Sequence, residues 1–129
     1  MNVEIWSDVM CPFCYIGKRK FENALAKFPH KENINIIWKS FQLDPTTVTD
    51  PSLNTIDNLA EKKGWSKQQA QETTAQVTNI AKQVGLDFHF EKAVVANSFD
   101  AHRLSHLAKK YGKQNDLEEK LFLAYFTEG

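Results

Sequence analysis

The chain has almost no means of covalently bracing itself: its 129 residues include two cysteines, Cys11 and Cys14. A scaffold held together by several disulfides is therefore excluded, and a single bridge closing so short a loop would add little stability by chain entropy. Net charge is also missing, since sixteen basic residues balance sixteen acidic ones. That balance argues against nucleic acid or a charged membrane surface as the main partner. No apolar run approaches the ~20 residues of a membrane span, and the N-terminus lacks the basic and apolar regions of a secretory signal. The expected location is the cytoplasm, where paired cysteines are more often catalytic than structural. The five glycines form no phosphate-binding loop, no internal repeat or low-complexity segment is found, and none of the four prolines falls after Pro51.

What is present is organised around Cys11-Pro12-Phe13-Cys14. The motif follows a short β-forming segment, Asn2 to Ser7, and opens a helical pattern expected to run from Pro12 to about Phe28. At a strand-to-helix turn, two cysteines at this spacing present both sulfurs on one side within bonding reach. With Cys11 as N-cap, its sulfur faces unpaired first-turn amides and the positive end of the helix, which favour thiolate. Pro12 fits the first helical position, where its missing N–H costs nothing. Cys11 is accordingly expected to be the attacking sulfur and Cys14, a turn deeper and less acidic, the resolving one. A zinc site pairing these cysteines with His102 and His106 fits less well, because of the long separation and the intervening Pro12. No metal is expected.

The apolar face of the first helix is expected at Phe21, Leu25 and Phe28, with Lys18, Arg19 and Lys20 on a solvated face. Ile34 to Phe41 reads as a second strand, making a parallel βαβ unit. An irregular connector, Gln42 to Ser52, leads into helices capped by Asn54 or Thr55 and by Ser66, with Gly64 and Gly85 as stops. Leu86 to Phe90 alternates like a brief extended link. Ser98 should cap the next helix, with Ala101, Leu104, Ala108 and Tyr111 inward and Gly112 closing it. Asp116 should cap the last, with Leu117, Leu121, Phe122, Tyr125 and Phe126 as its packed stripe. Two strands make a marginal sheet. The open sheet edge and the apolar Leu121 to Phe126 stretch are therefore expected to seek a partner, giving a homo-oligomer.

Four segments, Ser7 to Arg19, Trp38 to Pro45, Asn97 to Leu104 and Leu121 to Gly129, resemble successive signatures of the DsbA-like thioredoxin-fold oxidoreductases, in the FrnE-like cytoplasmic branch. The resemblance implies an α/β fold: a thioredoxin-like βαβ half carrying CxxC over residues 1–50 and an inserted all-helical domain over 51–129. Members of the family continue into further strands with a cis-proline loop against the CxxC. No proline follows Pro51, so the sheet is expected to be incomplete and the chain a shortened form lacking the C-terminal thioredoxin half.

The activity implied is thiol-disulfide exchange with protein or small-molecule thiols and disulfides, needing no cofactor, with glutathione as a candidate redox partner. Cys11 and Cys14 would be catalytic. Pro12, Phe13, Phe41, Asn97, Ser98 and His102 would border the substrate cleft, although capping accounts for Asn97 and Ser98 equally well and core packing for Phe41. Two alternatives are a glutathione-dependent transferase or isomerase of the kappa-class or hydroxychromene-carboxylate isomerase type, and an inactive helical interaction fragment. Kappa-type enzymes look to serine at the first thiol position, whereas both thiols are present here.

Overall fold

A computed structural model describes residues 1–129. Strand β1 (Asn2–Ser7) is followed by helix α1 (Pro12–Ala26), a short 3-10 turn, and strand β2 (Asn35–Ser40). The two strands pair in parallel, with Ile5 opposite Trp38, so α1 is the crossover of a βαβ unit. Four more helices follow: α2 (Thr55–Lys63), α3 (Lys67–Lys82), α4 (Phe99–Lys109) and α5 (Gln114–Leu123), the last passing into a wider π turn over Ala124–Glu128. The fold is the mixed α/β arrangement expected of a DsbA-like thioredoxin domain, with a sheet of two strands.

Local chemistry sets most boundaries. Asn54 Oδ1 accepts from the Asp57 amide at 3.0 Å to start α2, and Ser66 Oγ accepts from Gln69 at 3.1 Å to start α3. Between those helices Gly64 takes φ 68°, a left-handed conformation that favours glycine. Leu86 to His89 is non-helical, and Leu86, Phe88 and Phe90 turn inward.

The core is an aromatic stack rather than the apolar stripe read along α1. Tyr15 and Ile16 of α1 meet Val77 and Ala81 of α3, the Leu86 to Phe90 segment, and Phe122 and Phe126 at the end of the chain. The rings of Tyr15 and Phe122 lie 4.9 Å apart and nearly parallel, and those of Phe88 and Phe126 are 4.8 Å apart. Phe21 and Leu25 are only half-buried and Phe28 is exposed, because the helix turns its Tyr15–Ile16 side to the stack. Within Leu121 to Phe126, Phe122 and Phe126 are consumed internally at 0% and 1% exposed, while Leu123 and Ala124 are exposed.

Lys18 also departs from expectation. It is buried, with its ammonium 3.0 Å from Glu22 and 2.9 Å from Glu119, and Arg19 reaches the same Glu119. Tyr15 donates its hydroxyl to Glu119 as well. Burial pushes the Glu119 carboxyl up, but Lys18, Tyr15 and Arg19 together hold it below its ordinary value. The cationic turn of α1 is therefore clamped to α5, not solvated.

Helices α4 and α5 bury polar faces. His102 and Ser105 point inward on α4, whereas Leu104 and Tyr111 are exposed and Ala101 and Ala108 half-buried. On α5 the buried register is Gln114, Glu118 and Phe122, with Leu117 and Leu121 at its margins. Lys113 is the N-cap residue, and Asp116 stands in the first turn, where its charge suits the helix dipole. Gln114 covers the outer edge of β2. Its amide oxygen accepts from Trp38 N–H and its amide nitrogen donates to Trp38 C=O, each at 3.2 Å, as a neighbouring strand would.

The position of the core gives a stability contrast. Phe122→Ala should lower unfolding stability by about 3–5 kcal/mol in urea denaturation, whereas Phe28→Ala should cost under about 1 kcal/mol. Equal losses would contradict the assignment of the core to the Tyr15–Phe122 stack.

Candidate active site

The dithiol sits where the chain leaves β1. Cys11 is the N-cap of α1 at φ −92° and ψ 112°, with Pro12 in the first helical turn. The turn is closed by Cys11 N–H donating to Asp8 C=O at 3.0 Å and by Cys14 N–H donating to Cys11 C=O at 3.1 Å. Both cysteines are unbridged and partly buried. The amides of Cys14 and Phe13 act on the Cys11 sulfur, as the helix start requires.

The two thiols titrate as a pair. The Cys14 side chain and burial push Cys11 up, while the Cys11 side chain, the backbone at Asp8 and Ser7 hold the partner thiol of the pair down to about 6. Ser7 Oγ is buried and otherwise without a partner, and it faces this sulfur. The physical reason is that the two sulfurs share one proton. The first ionisation belongs to the pair rather than to either sulfur alone.

Access separates the two. A cavity of about 610 Å³ opens between the CxxC turn and helices α2 and α3, and its lining includes Cys11, Pro12 and Phe13 but not Cys14. Cys11 is thus the sulfur of the pair that borders the cavity.

The remaining residues singled out from the sequence divide between cavity and support. Phe13 is 59% exposed at the mouth. Phe41 is exposed outside the lining, and Leu43, two residues on, faces the cavity. Asn97 lies behind it: its amide donates to Pro45 C=O at 3.2 Å and Thr47 C=O at 2.8 Å, fixing the loop that forms one wall. Its Oδ1 accepts from Phe99 N–H, taking the capping role expected of Ser98, which makes no capping bond. Ser98 instead faces Asp8. His102 is buried below the turn with Nε2 3.2 Å from Asp8 Oδ1, while His106 faces Ser40 Oγ at 2.7 Å. The two imidazoles are thus engaged with different partners, and no group of three or more His, Cys, Asp or Glu side chains could hold a metal.

Sequence reasoning passed over Asp8. This carboxylate is 2% exposed, accepts from Leu43 N–H at 2.8 Å and from Met10 N–H at 3.4 Å, and pairs with His102. Burial pushes its carboxyl up, but His102, the Leu43 amide and Ser98 outweigh burial and hold it below the ordinary range. The available signal was an acidic residue set between a strand and the first cysteine, where the chain has to pass under the helix start.

Comparison with known proteins agrees with this geometry. Residues 2–129 match the family model of the DSBA-like thioredoxin domain. The chain belongs to the DsbA-like thioredoxin family. It is similar to the crystal structure of the probable DsbA oxidoreductase SCO1869 from Streptomyces coelicolor, with a TM-score of 0.87 and 38% identity. That match covers 98% of this chain and 54% of the other. It is also 28% identical to the uncharacterized protein YwbO of Bacillus subtilis (strain 168), over 99% of this chain and 58% of that protein. This DsbA-like chain therefore spans little more than half the length of these relatives.

Two outcomes follow. The 240 nm thiolate absorbance of the reduced protein should rise in one step near pH 6 with an amplitude of one thiolate, because the lowered thiol is protonated below that value and ionised above it. A two-thiolate step near pH 9, the ordinary thiol value, would contradict the shared proton. Separately, His102→Leu should destabilise the protein by about 3–5 kcal/mol at pH 7 by stranding the Asp8 carboxylate, and adding Asp8→Asn should recover part of the loss. Additive losses in chemical denaturation would show that the pair is not coupled.

Proposed function

We propose that this DsbA-like chain carries the dithiol centre of a thiol-disulfide oxidoreductase working through Cys11-Pro12-Phe13-Cys14. The observation that carries the reading is the pairing of an accessible N-cap sulfur with a second sulfur that shares its proton a turn deeper. Cys11 thiolate attacks a substrate disulfide, forming Cys11–S–S–R and releasing the other half as a thiolate. Cys14, left holding the shared proton, gives it up to the departed thiolate or to solvent, attacks the Cys11 sulfur as thiolate, closes the intramolecular disulfide and releases R as a second thiolate. Two electrons pass from the dithiol to the substrate, and the reverse sequence oxidises a substrate dithiol.

Within this reading the substrates are protein or small-molecule thiols and disulfides, and the chemistry needs no metal or organic cofactor. Residues 1–50 form the thioredoxin-like half bearing the motif, and 51–129 the helical layer that closes over it. The setting is a cytosol of the FrnE-like type. No helix is long and apolar enough to cross a membrane. The open edge of β1 is the surface for pairing with another strand, from a second copy or from further chain.

Cys14→Ser should accumulate a mixed disulfide between Cys11 and a model disulfide, visible as an added mass removed by dithiothreitol, while the parent protein passes through it to the intramolecular bridge. Turnover undiminished in Cys14→Ser, together with saturable glutathione binding, would replace this reading with glutathione-dependent transfer or isomerisation.

A further inference from the structure

The cavity beside Cys11 has a chemical character that its residues define in detail. Its volume is that of a small-molecule site, about 610 Å³. Trp65, Val77, Phe90 and Phe126 give it apolar walls. Three threonine hydroxyls there are spent: Thr55 donates to Ala93 C=O, Thr73 to Gln69 C=O and Thr74 to Ala70 C=O. The threonines can therefore offer methyl groups to the cavity without leaving a donor unpaired.

The lining charges are Asp44, Lys62 and Lys63. Asp44 and Lys62 neutralise one another at 2.8 Å, and the same ammonium bonds Thr47 Oγ1. Lys63 has no ion pair, and the side-chain amide of Asn58 makes no hydrogen bond within the chain. Both belong to α2. Besides the Tyr125 hydroxyl and the Trp65 indole N–H, which make no hydrogen bond within the chain, the site thus offers one unpaired cation and one free amide, both from α2.

We infer that this cavity is a binding site for a small-molecule disulfide or thiol with an aromatic-sized apolar body and a carboxylate, the body lying between Trp65 and Phe126 and the carboxylate meeting Lys63 and Asn58. The inference rests on the dithiol reading and names its substrate class. The reacting bond lies at the Cys11 end: Cys11 thiolate forms a bond to one aryl sulfur, and the other aryl thiolate leaves with the electron pair of the broken S–S bond. Cys14 then loses the shared proton to solvent and displaces the first aryl thiolate, so one disulfide becomes two thiolates as the protein dithiol becomes a disulfide. A small polar disulfide would leave the cavity's apolar walls unfilled.

The test uses the reduced full chain with dithiobis(nitrobenzoate), an aryl disulfide bearing carboxylates, and with dithiodipyridine, a neutral aryl disulfide. The observed rate with dithiobis(nitrobenzoate) should saturate with concentration. Lys63→Glu, a change at an exposed position, should lower the ratio of second-order rate constants, carboxylate over neutral, by roughly fivefold, and added salt should shrink that difference. Lys63→Arg should retain the parent ratio. Rates with both disulfides no faster than those of a free cysteine peptide would defeat the dithiol reading itself. Fast reaction with both that stays linear in concentration, or a ratio unmoved in Lys63→Glu, would overturn the cavity assignment and leave the dithiol reading standing. Unfolded disulfide-bonded polypeptide that reacts saturably without competing with dithiobis(nitrobenzoate) would likewise overturn it, in favour of a protein client.

Discussion

One buried carboxylate ties the active turn to the rest of the molecule. Asp8 accepts from Leu43 beyond β2, from Met10 beside the first cysteine, and pairs with His102 from α4. Burying a carboxylate costs several kcal/mol, and hydrogen bonds to a charged group return about 1.5–3 kcal/mol each, so the group is tolerable only when its donors are all in place. That condition acts as a geometric constraint. The chain leaving β1, the loop after β2 and the first turn of α4 must converge on the same two oxygens, and the cysteines stand directly above that point.

The constraint also accounts for the polar interior of the C-terminal helices. α4 turns His102 toward Asp8, so Ser105, three positions on, faces the same interior and donates to the buried Glu118 at 2.6 Å. Burial raises the Glu118 carboxyl against the opposing pull of that bond. Gln114 then links Ser105 to the backbone of Trp38. Two buried polar groups, Asp8 with His102 and Glu118 with Ser105 and Gln114, thus lie between the CxxC turn and the outer edge of the sheet, and their cost is bearable because each member has a named partner.

These particulars explain what was legible in the sequence. The strand pair, the start of α1 at Pro12 and the caps at Asn54 and Ser66 are local matters of propensity and turn chemistry, and the structure follows the expected order closely. The buried faces were harder. Periodicity assigns apolar residues to the inside, which fails on α4, where Leu104 and Tyr111 are exposed because the opposing surface is polar. It fails on α1 for a related reason: Lys18 is buried because Glu119, 101 residues away in sequence, meets it there. The cysteines were recognisable from spacing alone, but the cavity is not, since Leu43, Trp65 and Tyr125 come together only when separate elements pack.

The chemistry of the dithiol depends on the same packing. A helix start alone would favour thiolate at Cys11, and its amides are in place to do so. Yet Cys14 has donors of its own, from Cys11, from the backbone at Asp8 and from Ser7, all supplied by the turn that Asp8 anchors. The two sulfurs share a single proton, and Cys11 rather than Cys14 stands at the cavity wall. When Cys11 is the thiolate, Cys14 holds that proton, so any displacement by Cys14 requires the proton to pass to a departed thiolate or to solvent.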